Sequence, residues 1–233
     1  MGGFMISVAV ANSNLEYFNQ IVLVTYLVIL GLAITNGVRH IAEIIKYRHE
    51  SRPYFLHTFW SITLLIFLFQ FAEHVWGFRQ VSNWNQLHLL ALMINPLLLY
   101  LATEILFPNY DGRSFVDVRF HYYHKRRWFF GILAVLPVAN FVTDSFLLRD
   151  WSVGSYEFFS LVFIGIFIVL AMTERPVLHV VLSTINVPVF IIFSVLFSTN
   201  YADPDYRDRT NSAKTTKNTP VFVVNDARKI ITD

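Results

Sequence analysis

Long uncharged apolar runs alternate along the chain with short polar, basic stretches. Six runs stand out, at about residues 15–45, 55–76, 87–107, 126–144, 156–173 and 177–198. Crossing a hydrocarbon core takes roughly 20 helical residues at about 1.5 Å each. The runs lack the two-residue alternation of barrel strands, and lipid leaves no other way to satisfy the backbone than helices, so each predicts a helix. The fourth and fifth are short, the fourth contains Pro137, and both need flanking residues or a locally thin bilayer. Glu174, Arg175 and Pro176 predict a tight turn between the last two helices. The predicted fold is an all-α integral membrane bundle of six helices over residues 1–198. A polar tail follows at 199–233, rich in Asp, Thr, Asn and Lys, and is predicted to be disordered. Residues 221–224 form a strand there only if an edge is offered.

Basic residues set the orientation. The first connection carries Arg39, Lys46, Arg48 and Arg52, and the third carries Arg113, Arg119, Lys125, Arg126 and Arg127. The second and fourth hold one each, Arg79 and Arg149. The odd connections are therefore predicted inside and the N-terminus outside. Trp76, Trp84 and Trp151 then fall at the outer boundary and Trp128 at the inner one, as an aromatic belt would. Arg207, Arg209, Lys214 and Lys217 pull the tail the other way, toward the inside.

Composition narrows the class. Of 233 residues 55% are hydrophobic and only 15% charged, with 23 Phe and no Cys. A soluble domain of this size would carry about a quarter charged residues. A soluble enzyme, a disordered chain and a disulfide-stapled secreted domain are all excluded. Without cysteine there are no thiolate metal sites, iron–sulfur clusters or cysteine nucleophiles. The net charge of +2 gives no footprint for nucleic acid. Residues 1–20 lack Lys and Arg, and position 6 is Ile, so neither a basic signal-peptide start nor a myristoylation pattern is expected.

Polar residues at membrane depth are the candidates for function, because each strongly polar side chain costs about 2.5–3.5 kcal/mol on insertion scales. In the second span Gln70, Glu73 and His74 lie near one stripe with Thr63; in the third, His88 and Asn95 share a face continued by Thr103; in the sixth, His179, Ser183 and Asn186 do the same. Stacked by depth, Glu73, His74 and His88 are outer, Asn95 and Asn186 central, and Ser183 and His179 inner. Asn95 precedes Pro96 and Asn186 lies close to Pro188, and each proline frees a carbonyl in the preceding turn. Two readings follow. One is a polar path for protons or a small cation between the second, third and sixth helices. The other is interhelical packing, worth about 0.6 kcal/mol per contact.

At the inner end of the first span Asn36, Arg39, His40 and Glu43 form one face, with Arg39 and Glu43 spaced to pair. It reads as a snorkelling juxtamembrane cluster, or as a gate or anion patch near His57. The basic aromatic stretch 113–127 points to anionic lipid headgroups.

Catalytic and cofactor patterns are sparse. Only His121 and His124 among eight histidines are three apart, too few pairs for a membrane di-iron oxygenase. A b-type haem alternative rests on His74 with His88, or His40 with His57. An outer metal alternative rests on Glu73, His74, His88, Asp144 and Glu157. No nucleophile elbow, Walker loop or zinc-protease motif is present, no cofactor or metal is predicted, and the reading leans away from an enzyme.

Residues 31–35 leading to Arg39, residues 54–60 with His57, residues 98–108, and the Arg126, Arg127, Trp128, Phe129, Phe130 run together resemble a family of small bacterial polytopic membrane proteins without an assigned activity. The resemblance spans about the first 130 residues. It implies six helices in a bacterial inner membrane and transfers no functional residue. The expectation is an integral membrane protein leaning to small ion or solute permeation, with a non-catalytic membrane subunit or scaffold as the alternative.

Overall fold

The computed structural model describes residues 16–47, 51–81, 84–108, 116–149, 151 and 155–201, with backbone alone at 19, 51–52, 80, 116, 155–157 and 193–201. A π-helical turn, Phe18–Leu23, leads into α1 (Val24–Lys46). Then come β1 (Ser51–Arg52), α2 (Phe55–His74) with a 3-10 extension Val75–Gln80, and α3 (Gln86–Leu106). The order closes with β2 (Val116–Asp117), α4 (Val118–Leu148), α5 (Ser155–Met172) and α6 (Pro176–Tyr201). The chain divides into two units, residues 1–194 and 195–233. Of the second, only the end of α6 is described. The tail expected at 199–233, with its 221–224 strand, lies outside the described residues from 202 onward.

Helix ends follow local chemistry. The Asn85 side chain accepts from the His88 amide at 2.9 Å and Asp117 accepts from the Phe120 amide at 2.9 Å, each satisfying an orphan donor of a first turn. α3 stops before Pro108, and its last carbonyls find side-chain donors: His57 Nε2 reaches Leu106 O at 3.0 Å and His121 Nε2 reaches Ile105 O at 3.2 Å. Pro176 opens α6, where a missing amide hydrogen costs nothing. Arg149 ends α4 in the left-handed region at φ 54°.

The main departure from expectation is α4. A short fourth span was expected at about 126–144, yet the helix is 31 residues long. Its basic, aromatic first turns ended the apolar run without ending the helix, since Lys, Arg, His and Tyr are all compatible with helix and Asp117 supplies the cap.

β1 and β2 pair in parallel, Ser51 with Val116 and Arg52 with Asp117. That pairing joins the first and third connections, so the two most basic connections lie at one end of the bundle. α4 packs on α5 and α3, α3 on α1, and α1 on α2. At the α2–α4–α5 junction Trp60 is fully buried against the rings of Phe129, Phe130 and Phe167.

The distribution of polarity is inverted relative to a soluble protein. Leu32, Ile62, Phe69, Leu90, Leu97 and Leu101 are exposed, whereas Thr63, Asn95, Thr103, Asn140, Thr143 and Asn186 are buried. Four helices, Gln20–Lys46, Phe55–Arg79, Gln86–Leu106 and Val118–Leu148, are long and apolar enough to cross a membrane; Phe158–Met172 and Pro176–Ile192 are apolar but shorter over their described stretches. This is the pattern of a membrane protein. Trp76 and Trp151 are exposed near helix ends, and Trp128 is exposed ten residues into α4.

Candidate functional site

Buried polar side chains gather at two levels. The outer level is a chain of hydrogen bonds from the end of α2 to the middle of α3. His74 Nε2 meets Asp144 Oδ1 at 3.2 Å, Asn140 Nδ2 donates to Asp144 Oδ2 at 3.1 Å, and Asn95 Nδ2 donates to Asn140 Oδ1 at 3.3 Å. Asn140 and Asp144 are four apart, so one face of α4 supplies both. On the same helix Thr143 Oγ1 donates to Ala91 O at 3.2 Å, and across the bundle the Tyr26 hydroxyl donates to Phe71 O at 3.1 Å. Exposure falls along the chain: His74 and Asp144 side chains are 26% and 17% exposed, whereas Asn140 and Asn95 are 4% and 1%.

The direction of every bond in this chain is fixed by the first. A carboxylate only accepts, so Asn140 must turn its NH₂ to Asp144 and its oxygen to Asn95. Asn95 must then donate. Its own Oδ1 is left buried without a partner, an uncommon state for a buried oxygen.

The inner level surrounds the far end of α3. Asn36 Nδ2 donates to Glu104 Oε1 at 2.8 Å and to Thr103 Oγ1 at 3.4 Å, while Arg39 Nη2 donates to Asn36 Oδ1 at 2.9 Å. Arg39 therefore turns to Asn36 rather than to Glu43, the partner its spacing suggested. Glu43 meets His40 Nδ1 at 3.1 Å instead. His40 stacks on Phe107 at 4.7 Å and His57 meets the same ring edge-on at 5.6 Å.

A second inner group binds the α5–α6 turn. His179 Nε2 donates to Thr173 O at 3.1 Å; since a carbonyl cannot donate, Nδ1 of the neutral ring accepts from the Tyr122 hydroxyl at 2.9 Å. Trp60 Nε1 donates to Ser183 Oγ at 3.0 Å, and Arg126 Nη2 donates to Glu174 Oε1 at 2.6 Å. Between the two levels the buried side chains are mostly apolar, Leu30, Leu64, Phe67, Leu68, Leu99 and Leu133 among them, with Thr63 and Asn186 as buried polar exceptions. Leu99 is one turn from Asn95 on the inner side, and Thr103 is one turn further.

The eight residues expected along a path are thus distributed. His74 and Asn95 are joined, through two residues of α4 rather than through α6. His179 and Ser183 bond to Tyr122 and Trp60. His88 is buried, its ring against Phe146 at 5.2 Å, with Nδ1 unpartnered. Asn186 Oδ1 and Gln70 Oε1 are likewise buried and unpartnered, and Glu73 is exposed. Sequence reasoning missed Asn140 altogether and weighed Asp144 only as an outer metal ligand. The signal available was the Asn140, Thr143, Asp144 spacing on one helix face. Tyr122, within the basic aromatic stretch, is buried inside the bundle.

Among the described residues, no three His, Asp or Glu side chains gather as a metal ion would need. The Glu157 side chain of the outer metal alternative lies outside those described. Of the histidines weighed as haem ligands, His74 is bonded to Asp144 and His57 to the Leu106 carbonyl.

Comparison of the chain with protein-family models, with curated proteins and with solved structures finds no match.

Proposed function

We propose that the chain is a multi-pass membrane protein through which a small cation, the proton included, moves between the outer and inner polar levels. The observation that carries this reading is the arrangement of the buried polar groups. Each level pairs acid with histidine near helix ends, and the buried side chains between the two are mostly apolar, with Thr63 and Asn186 the polar ones among them. Ionisable and strongly polar residues inside a bundle are expensive and mark ion pathways, and a short apolar constriction is a recognised gate. The path runs along α2, α3 and α4, with the inner level around Asn36, Arg39 and Glu104. Odd connections face the cytoplasm of a bacterial inner membrane, where exposed Arg119 and Arg127 beside Trp128 meet anionic headgroups.

The test is cation flux into proteoliposomes. Asp144→Asn and Asn95→Ala should each abolish flux while helical content stays at the wild-type level; unchanged flux in both variants overturns the path. A scaffold is the second reading, favoured by the direct Trp60–Ser183 and Tyr122–His179 bonds, which tie α6 to α2 and α4. As a scaffold, the protein would lose about 0.6 kcal/mol of stability in Asn95→Ala and no flux would be seen in any form.

A further inference from the structure

The outer chain ends on an acceptor with nothing to accept from. Asn95 is 1% exposed and its Oδ1 has no partner, although its Nδ2 donates to Asn140 at 3.3 Å. Turning the Asn95 amide over would set two oxygens face to face, so the vacancy is imposed from Asp144, two bonds away. Next to it on α3, Pro96 withholds the amide that would bond the Leu92 carbonyl, and Leu92, three residues before Asn95, shares its helix face. One buried side-chain oxygen without a donor thus shares a helix face with a carbonyl that proline deprives of its helical donor. Carbonyls released from helical bonding are among the groups that coordinate small cations inside membrane proteins.

We propose that Asn95 Oδ1 and the Leu92 carbonyl form the inner end of a site for one monovalent alkali cation, with Asp144 its counter-charge. This rests on the permeation reading and names the ion class. A single carboxylate with neutral oxygens suits a singly charged ion, whereas calcium and magnesium call for more carboxylate or for retained water. Entry is from the outer end, where His74 and Asp144 are partly exposed.

The same logic couples the site to protons. When Asp144 takes up a proton it becomes a donor, and Asn140 turns its oxygen to it. Asn140 then offers NH₂ to Asn95, and Asn95 turns its own NH₂ toward the cation position. The buried end changes from acceptor to donor, so proton and cation exclude each other. The groups facing Asp144 are His74 from α2 and Tyr26 from α1, whose hydroxyl is held by Phe71 O. From α3 come Asn95 through Asn140 and the His88 ring against Phe146, two residues along α4. Arg149 lies at the end of α4 itself, and the described side chains of α5 contain no titratable group.

The experiment uses the full-length protein in detergent, titrated with NaCl and with KCl against choline chloride at constant ionic strength. Thermal stability should rise saturably with NaCl or KCl beyond choline. The apparent affinity should weaken as the pH is lowered, because proton and cation compete, by linkage. Adding the same salt to unbuffered wild-type protein at a pH where salt affinity is already weakened should release protons, a readout that needs no variant. Asn95→Leu and Asp144→Asn should abolish both responses. Equal responses to NaCl, KCl and choline chloride, or saturable binding without proton release, overturn the site; a water on Asn95 Oδ1 would give the first of these. Flux in proteoliposomes with no salt-specific binding overturns the site and leaves permeation standing, and binding with no flux does the reverse.

Discussion

At the residue scale, polar atoms inside the bundle are held by bonds whose direction can be worked out from which groups only accept. Trp60 shows how little of such a residue's value lies in its polar atom. It is fully buried among three Phe rings and donates once, to Ser183. Trp60→Phe should cost about 0.6–1.7 kcal/mol, the span of intramembrane hydrogen bonds. Trp60→Ala should cost about 3–5 kcal/mol, because it also empties a packed site. Reversible unfolding in mixed micelles measures both, and equal losses would show that packing around the indole contributes little. His74 and Asn95 were legible because a histidine or amide in an apolar run has few reasons to be there. Asp144 and Asn140 were less so: they fall near the end of a span whose length was misjudged, and their partners are on other helices. No spacing rule within one helix reveals a partner on another. The unpartnered oxygen of Asn95 is legible only in three dimensions, since it follows from what Asn140 must do.

At the element scale, hydropathy located all six helices, and the Glu174–Pro176 turn falls between Met172 and Pro176 as its residues predicted. The length of α4 was hidden because hydropathy reports where lipid contact ends, whereas helix continuation depends on capping and backbone bonds. The basic first turns of α4 are the clearest case, since they pack inward through Tyr122 and Arg126 while presenting Arg119 and Arg127 outward. The β1–β2 pairing is a contact no hydropathy pattern contains, and it places the two basic connections together. With no native cysteine, single cysteines report topology cleanly. Cysteines at Asn85 and Trp151 should be labelled by an impermeant maleimide from outside intact cells, and cysteines at Tyr47 and Arg127 only after permeabilisation. Labelling of Arg127→Cys in intact cells would invert the orientation.

For the molecule as a whole, the inversion of polarity is the feature from which the rest follows. Large apolar side chains cover much of the outside, and most of the buried polar groups gather at two levels rather than evenly, which pure packing has no need of. The layer between them is thin along α3, where Leu99 alone separates the turn of Asn95 from that of Thr103. Cation flux through proteoliposomes carrying Leu99→Ser, compared with wild type, is the most direct test, because a gain of flux cannot arise from misfolding. Joining the two polar levels through a hydroxyl should raise flux several-fold. Flux at or below the wild-type rate, with the bundle still folded, would mean that the two levels hold helices together and conduct nothing.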